Sequence, residues 1–386
     1  MTKADLANWR VKVETPLSVD YKGITVYKLP MWQQGPAMLQ ALNLLEQSDL
    51  RAMGYNSPRY LHAVYQAMSM AFADRDFYYG DPSFAPAPPA EGLLSKAYAR
   101  RRWAGVNWAR NDPAITPGDP YPFQNGRHPF AGLLAAWTVQ PAPDSAPRSG
   151  QQDRVVPEAA PTTAAPHAAA SPSGLAALGR TAAADSAFAA HFHAGTTSIE
   201  AADSAGWVVS ITPSGGWVPA VVAGRTGVGL SQRAQSFVTR AEDGPYNVIA
   251  PGKRPRVTLT PTLALKEGRP FLSFAVQGGD SQDQNLLQYF LNVVEWGMTP
   301  QQAAEAPNMN SYQMRSSFGA HESRPGRMLV NASTPDPVRT ALRRMGYTLE
   351  FAERTNGPIN AIWFDPKHRT FWGASAHHGE DYGIGW

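Results

Sequence analysis

The residues with the clearest chemical potential lie near the middle of the chain, in "HFHAGTTSIEAADSAGWVVS", which begins at His191. Threonine is a poor nucleophile at neutral pH unless a base stands beside it. One arrangement supplies that base within the residue itself. If Thr196 is the first residue of a polypeptide, its own α-amino group, with an ordinary pKa of about 7.7–8.0, accepts the hydroxyl proton. This needs a cut before the threonine, a small residue on the other side of the cut and a segment free to leave. Gly195, Thr196 and the Ala/Pro-rich tract before them meet all three conditions. A threonine in a loop before a strand is also ordinary, and these residues alone leave both readings open.

Other groupings are weaker. "HFHAG" and "AHHGED" bring His close to His or to an acid, but neither has the partner set of a metal site, and solvated loops explain both. The expectation is no metal and no cofactor. Arg315, His321, Arg324 and Arg327, in "MRSSFGAHESRPGR", read as a polar surface loop rather than an anion pocket. Leu286, Leu287, Phe290, Leu291 and Val294 recur at helical spacing and read as core.

Composition removes whole classes of function. The 386 residues suffice for one large or two ordinary domains. Thirty-four basic against 31 acidic residues leave a net charge of +3, and no Lys/Arg run lines a helix, so nucleic acid is not an expected partner. The absence of cysteine excludes disulfides, thiolate metal sites and a Cys nucleophile. No apolar run approaches the length of a membrane span. The first residues, "MTKADLANWRVKVETP", lack the apolar stretch of a signal peptide.

The elements that must position Thr196 are legible on both sides of the tract. "GITVYKLP" alternates as a strand, "GPAMLQALNLLEQ" has helical spacing, and Ser57-Pro58 caps and opens a long helix. From about Gln140 the chain is mostly Ala, Pro, Ser and Thr, with too little bulky apolar surface to offset its ordering entropy. After Thr196, "GWVVSITPS" reads as a strand ending in a turn. "RVTLTPTLALKEGRPFLSFAVQ" reads as two strands joined at Glu267-Gly268. Ser281, with Gln284 three residues on, is expected to cap the helix that ends near Gly297. Thr299-Pro300 and "TPDPVRTALRRMG" open further helices, and "YTLEFAE" and "AIWFD–TFWGASA" return to strand. Strands neighbouring strands and helices neighbouring helices predict stacked antiparallel sheets flanked by helices, not a wound βαβ array.

Several stretches, in one order, resemble the gamma-glutamyltransferase family of N-terminal-nucleophile hydrolases. They are "AFADRDFYYGDPSF", "TTSIEAADSAGWVVSIT", "KRPRVTLTPTLALKEGRP", "VQGGDSQDQ" and the closing "GASAHHGEDYGIGW". The resemblance runs from "ETPLSVDYKGITVYKLP" to the last residue. It implies an α+β fold, a four-layer αββα sandwich, and self-cleavage between Gly195 and Thr196 into a heterodimer. Residues 1–139 then form part of the large subunit, 140–195 a linker to the processing site, and 196–386 the small catalytic subunit. The family carries a longer segment before the equivalent of "ETPLSVDY", with a signal peptide, much of the first subunit and an arginine for the donor carboxylate. That segment is not in the sequence, and another polypeptide is one way of supplying it. The resemblance suggests a periplasmic or secreted setting.

The family's roles transfer unevenly. Thr196 matches the nucleophile, Ser214 a second hydroxyl that bonds it, and Gly278 and Gly279 the glycines whose N–H groups form the oxyanion hole. The residues that hold a γ-glutamyl donor are mostly replaced. Gly216 stands for an Asn, Arg233 for an acidic or amide residue, Ser236 for an Asp, and Val257-Thr258 for a Ser pair of which only Thr258 keeps a hydroxyl. The resemblance therefore implies an amidohydrolase or acyltransferase acting on γ-glutamyl or similar acyl amides, with water or an amine as acceptor. One alternative is an acylase for non-glutamyl amides with the same mechanism. The other is a truncated, unprocessed chain persisting as a scaffold.

Overall fold

The computed structural model describes residues 2–139, 196–214, 221–222, 224–227, 229–377 and 381–385. The Ala/Pro-rich tract, Gly195, Gly216, His191, His193 and His378 lie outside them. In chain order the principal strands are β1 (Leu17–Tyr21), β2 (Ile24–Lys28), β3 (Ile199–Ala202), β4 (Val208–Ile211), β5 (Thr262–Lys266), β6 (Arg269–Val276), β7 (Asn310–Ser311), β8 (Arg327–Asn331), β9 (Thr348–Ala352), β10 (Ile359–Asp365) and β11 (Thr370–Ser375). The principal helices are α1 (Pro36–Leu45), α2 (Pro58–Tyr78), α3 (Gln282–Val294), α4 (Pro300–Glu305) and α5 (Asp336–Arg344).

One antiparallel sheet, ordered β1-β2-β5-β6-β10-β11, joins strands from both sides of the Ala/Pro-rich tract. The seam is β2 against β5, with Val26 opposite Ala264. Hairpin chemistry fixes much of the register. Between β5 and β6, Glu267 and Gly268 take φ of 52° and 73°, the left-handed pair that a two-residue turn of matching twist demands. Helices α1 and α3 pack on one face, and α2 packs behind α1. The β3–β4 hairpin lies on the other face, against β6 and β10. Helices, sheet and second sheet thus stack in the order of an αββα sandwich.

A smaller sheet, β9-β8-β7, departs from the all-antiparallel expectation. β8 and β9 are parallel and are joined through α5, a single βαβ unit. The cap at Ser281 also differs from expectation. Gly279–Ser281 already forms a 3₁₀ turn, Ser281 is in helical conformation, and its Oγ donates to Gly278 O at 2.7 Å instead of capping. The turn leaves no room for the extended backbone of an N-cap residue. By contrast Ser57 accepts from Tyr60 N–H, and Thr299 with Gln302 forms a full capping box.

Candidate active site

Thr196 is 2% exposed, although it directly follows the undescribed tract. Thr197 N–H donates to Pro213 O at 3.2 Å, which ties the start of this segment to the end of β4. Thr196 Oγ1 accepts from Gln282 Nε2 at 3.5 Å. Gln282 is the first residue of α3 and follows Gly279 by three positions. The φ of Thr196 is +89°, a region that a β-branched residue rarely enters.

The Gly278–Gly279 loop is fixed from behind. Gly278 has φ of 124°, open to a residue without Cβ. Among the described residues no acceptor pairs with the N–H of Gly278 or Gly279, whereas both carbonyls are engaged. Asp280, fully buried, accepts from Arg75 Nη1 at 2.6 Å and from the Ser317 N–H and Oγ at 2.7 and 2.6 Å. Arg75, also fully buried, donates twice to Asp76 Oδ1 and once to Gln34. Gln34 in turn donates to Gly279 O at 3.2 Å. Burial pushes the Asp76 carboxyl up, but Arg75 and Arg256 outweigh it and hold the group below the usual carboxylate range. A buried, densely hydrogen-bonded network of this kind is stiff.

Arg233 occupies the other side. Its Nη2 donates to Ser214 Oγ at 2.7 Å and its Nη1 to Thr258 Oγ1 at 3.4 Å. The guanidinium lies 5.2 Å from the centre of the Phe318 ring. Its Nε has no partner among the described residues, and burial lowers its pKa against the opposing charge of Asp280. Ser236 is fully buried, with an unpartnered Oγ and a carbonyl that accepts from Asn247. Val257 is bound through its backbone to Trp32 and Gln34. Arg233, Ser214 and Thr258 therefore form one cluster, while the Thr196 hydroxyl is bonded to Gln282.

The segment around Arg315 is not the polar surface loop expected. Arg324 is buried, and Arg327 belongs to β8 and pairs with Glu350 at 2.8 Å. Arg315 and His321 line a cavity of about 300 Å³ with Arg240, Arg256, Asp76 and Asp243. Tertiary packing, Phe318 against Arg233 and Arg315 over Trp137, covers what the local sequence leaves polar. Gln282, Gln34, Arg75, Asp280 and Ser317 had no assigned place at the site. A charged Asp-Arg-Asp triplet inside an apolar helix, "AFADRDF", was the signal available for Arg75 and Asp76.

The gamma-glutamyltranspeptidase family model matches residues 1–129 and 154–386. The chain belongs to this family. The glutathione hydrolase proenzyme of Escherichia coli is 24% identical over 80% of the chain and 44% of its own length. The acylase ACY 1 proenzyme of a Pseudomonas species is 25% identical over 94% of the chain and 50% of its own length. The chain thus spans about half the length of these relatives. Among solved structures, a variant of LmbA2991 superposes with a TM-score of 0.75 at 30% identity, covering all of this chain and 58% of that one. A cephalosporin acylase from Bacillus halodurans gives 0.71 at 23% identity, over all of this chain and 55% of that one, a likeness of fold. Among the described residues no helix is long and apolar enough to cross a membrane.

Proposed function

We propose that the chain is the catalytic part of a self-processing amidohydrolase in which Thr196, once freed from Gly195, is the nucleophile. The observation that carries this reading is the buried Thr196, its hydroxyl within reach of Gln282, which follows a glycine pair whose N–H groups have no acceptor among the described residues. Processing begins with attack of Thr196 Oγ1 on the Gly195 carbonyl. The acyl group moves from nitrogen to oxygen, and water then cleaves the ester, leaving a Gly195 carboxylate and a Thr196 amine. The φ of +89° favours this direction. Such strain costs about 1–3 kcal/mol, and the torsion it resides in ceases to exist when the bond is cut.

In turnover the Thr196 amine takes the hydroxyl proton as Oγ1 attacks the substrate amide. The Gly278 and Gly279 N–H groups receive the developing oxyanion, and the amine passes its proton to the leaving nitrogen. Water or an amine then takes the acyl group from Thr196. The acyl group itself is argued from Arg233. A γ-glutamyl group brings an ammonium, which a buried guanidinium repels. A glutaryl-type acyl group brings a carboxylate alone, which the unpartnered Nε of Arg233 suits. We therefore favour acyl amides with an anionic and no cationic end, a reading that the relatedness to an acylase proenzyme supports.

The test is N-terminal sequencing of an active preparation together with Thr196→Ala. The expected result is two polypeptides, the second starting at Thr196, and a Thr196→Ala protein that stays whole and inactive. An active, uncut chain overturns the reading.

A further inference from the structure

We propose that Gln282 is a positioning residue that holds the freed α-amine of Thr196 beside the Thr196 hydroxyl and so sets the geometry of the general base. The proposal deepens the function proposed above and rests on it.

Two observations meet at this side chain. Its Nε2 donates to Thr196 Oγ1 at 3.5 Å. Its Oε1, on a fully buried residue, has no partner among the described residues. A buried carbonyl oxygen without a donor has given up water and gained no bond in return, and such atoms are uncommon.

Cleavage before Thr196 changes what stands opposite that oxygen. A peptide nitrogen carries a single N–H, whereas the amine that replaces it carries more. Thr196 is 2% exposed, so the new donors need acceptors inside the protein. The residue that already touches this threonine holds a spare one. The amine and hydroxyl of a threonine sit on neighbouring carbons, and the two polar atoms of a carboxamide share one carbon, so a single carboxamide spans both. With Nε2 on a lone pair of Oγ1 and Oε1 on an amine proton, the lone pair of the amine is left for the hydroxyl proton.

The charged groups on the surrounding elements are engaged elsewhere. Asp280, on the loop before α3, is paired with Arg75 and Ser317. Glu200 on β3 accepts from Ser210 and Ser273, and Arg233 donates to Ser214 and Thr258. Asp283, one position along α3, is turned by roughly 100° from Gln282. Its Oδ1 takes Lys28 and Thr260, while its Oδ2 has no partner among the described residues. A neutral acceptor holds the amine without fixing it as an ammonium, as a carboxylate would, and a base must be unprotonated to act.

The experiment measures kcat/KM against pH for the processed parent, Gln282→Met and Gln282→Glu, with the faster of the glutaryl and γ-glutamyl anilides as substrate. An acceptor on the ammonium holds the apparent pKa up. Gln282→Met should therefore move the rising limb to lower pH and cut kcat on the plateau by at least about 10-fold with little change in KM. Gln282→Glu sets a carboxylate against the ammonium and should move the limb to higher pH by about one unit or more. A side chain that serves only the fold would lower activity without moving the limb in opposite directions. Gln282→Glu keeps the parent shape, so a folding defect in Gln282→Met leaves the test intact. If a variant stays uncut, residues 1–195 and 196–386 are coexpressed as two chains, which supplies the amine from the start. An unmoved limb in variants that melt like the parent overturns the proposal and leaves the nucleophile assignment standing. So does a limb that moves only in Asp283→Asn, which would give the amine to Asp283. A flat parent profile removes both the base and this inference.

Discussion

Arg233 is the residue on which the choice of acyl group turns. Its Nη2 occupies the Ser214 hydroxyl as an acceptor, leaving the Ser214 proton free for a neighbour. A charge-assisted hydrogen bond from such a group to a substrate carboxylate is worth about 1.5–3 kcal/mol, or roughly 10- to 150-fold. In the processed protein, Arg233→Gln is therefore expected to lower kcat/KM for a glutaryl anilide by at least about 10-fold while sparing or improving the matched γ-glutamyl anilide. Equal losses on both would remove Arg233 from acyl recognition. Thr196 sets the pH dependence. Only the unprotonated amine accepts the hydroxyl proton, so kcat/KM should rise with pH through an apparent pKa in the neutral range, and burial at this 2% exposed position works to lower it. A profile flat from about pH 5 to 9, with chemistry limiting, would count against the amine as base.

Among the elements, the β3–β4 hairpin carries the nucleophile segment and has an unusual inner face. Glu200 on β3 points inward, opposite Ser210, and accepts from Ser210 Oγ at 2.7 Å and from Ser273 Oγ on β6. Burial raises its pKa to about 8. An acid with a raised folded pKa holds a proton that the unfolded chain has already released. Stability therefore falls as pH rises from the ordinary glutamate value near 4.5 towards about 8, with a limiting slope of about 1.4 kcal/mol per pH unit. Glu200→Gln should flatten that slope and melt later than the parent at pH 8, as read by melting temperature against pH. The glycine loop depends on a different device. Asp280→Asn leaves the Arg75 charge in the core without one of its two carboxylates, and breaking a buried pair costs about 3–5 kcal/mol. The expected result is a lowered denaturation midpoint in urea. An unchanged midpoint would mean that Asp76 alone satisfies Arg75.

At the level of the whole molecule, the outer face of the same hairpin is apolar and open. Ile199, Val209 and Ile211 are 49%, 39% and 44% exposed, and Ile199 stands opposite Ile211. An αββα sandwich covers such a face with helices. A contiguous exposed apolar face invites association. The 386-residue polypeptide expressed by itself should bind a hydrophobic dye and scatter light at moderate concentration. Replacing Val209 and Ile211 with Thr should reduce both without lowering the melting temperature, because neither side chain contributes full burial. Unchanged dye binding in that variant would place the apolar surface elsewhere.

Sequence periodicity alone determined most elements. The strand at Gly23–Pro30, the helix capped at Ser57, the Glu267-Gly268 turn and the helix opened by Thr299-Pro300 depend on contacts within a few residues, and local chemistry decides those. The reading of Thr196 has the same local basis: an Ala/Pro-rich tract, a small residue and a strand pattern in succession. Three things required the tertiary structure. The pairing of β2 with β5 joins segments separated by more than 200 residues, and only the shared core selects it. The 3₁₀ turn at Gly279–Ser281 overrode the Ser281 cap because it leaves Ser281 already helical. The Arg75–Asp280 pair, the Arg233–Ser214 contact and the Arg315 cavity bring together polar and charged groups from separate elements. Their identities are visible in the chain, but a charge shows its partner only when folding removes the water between them.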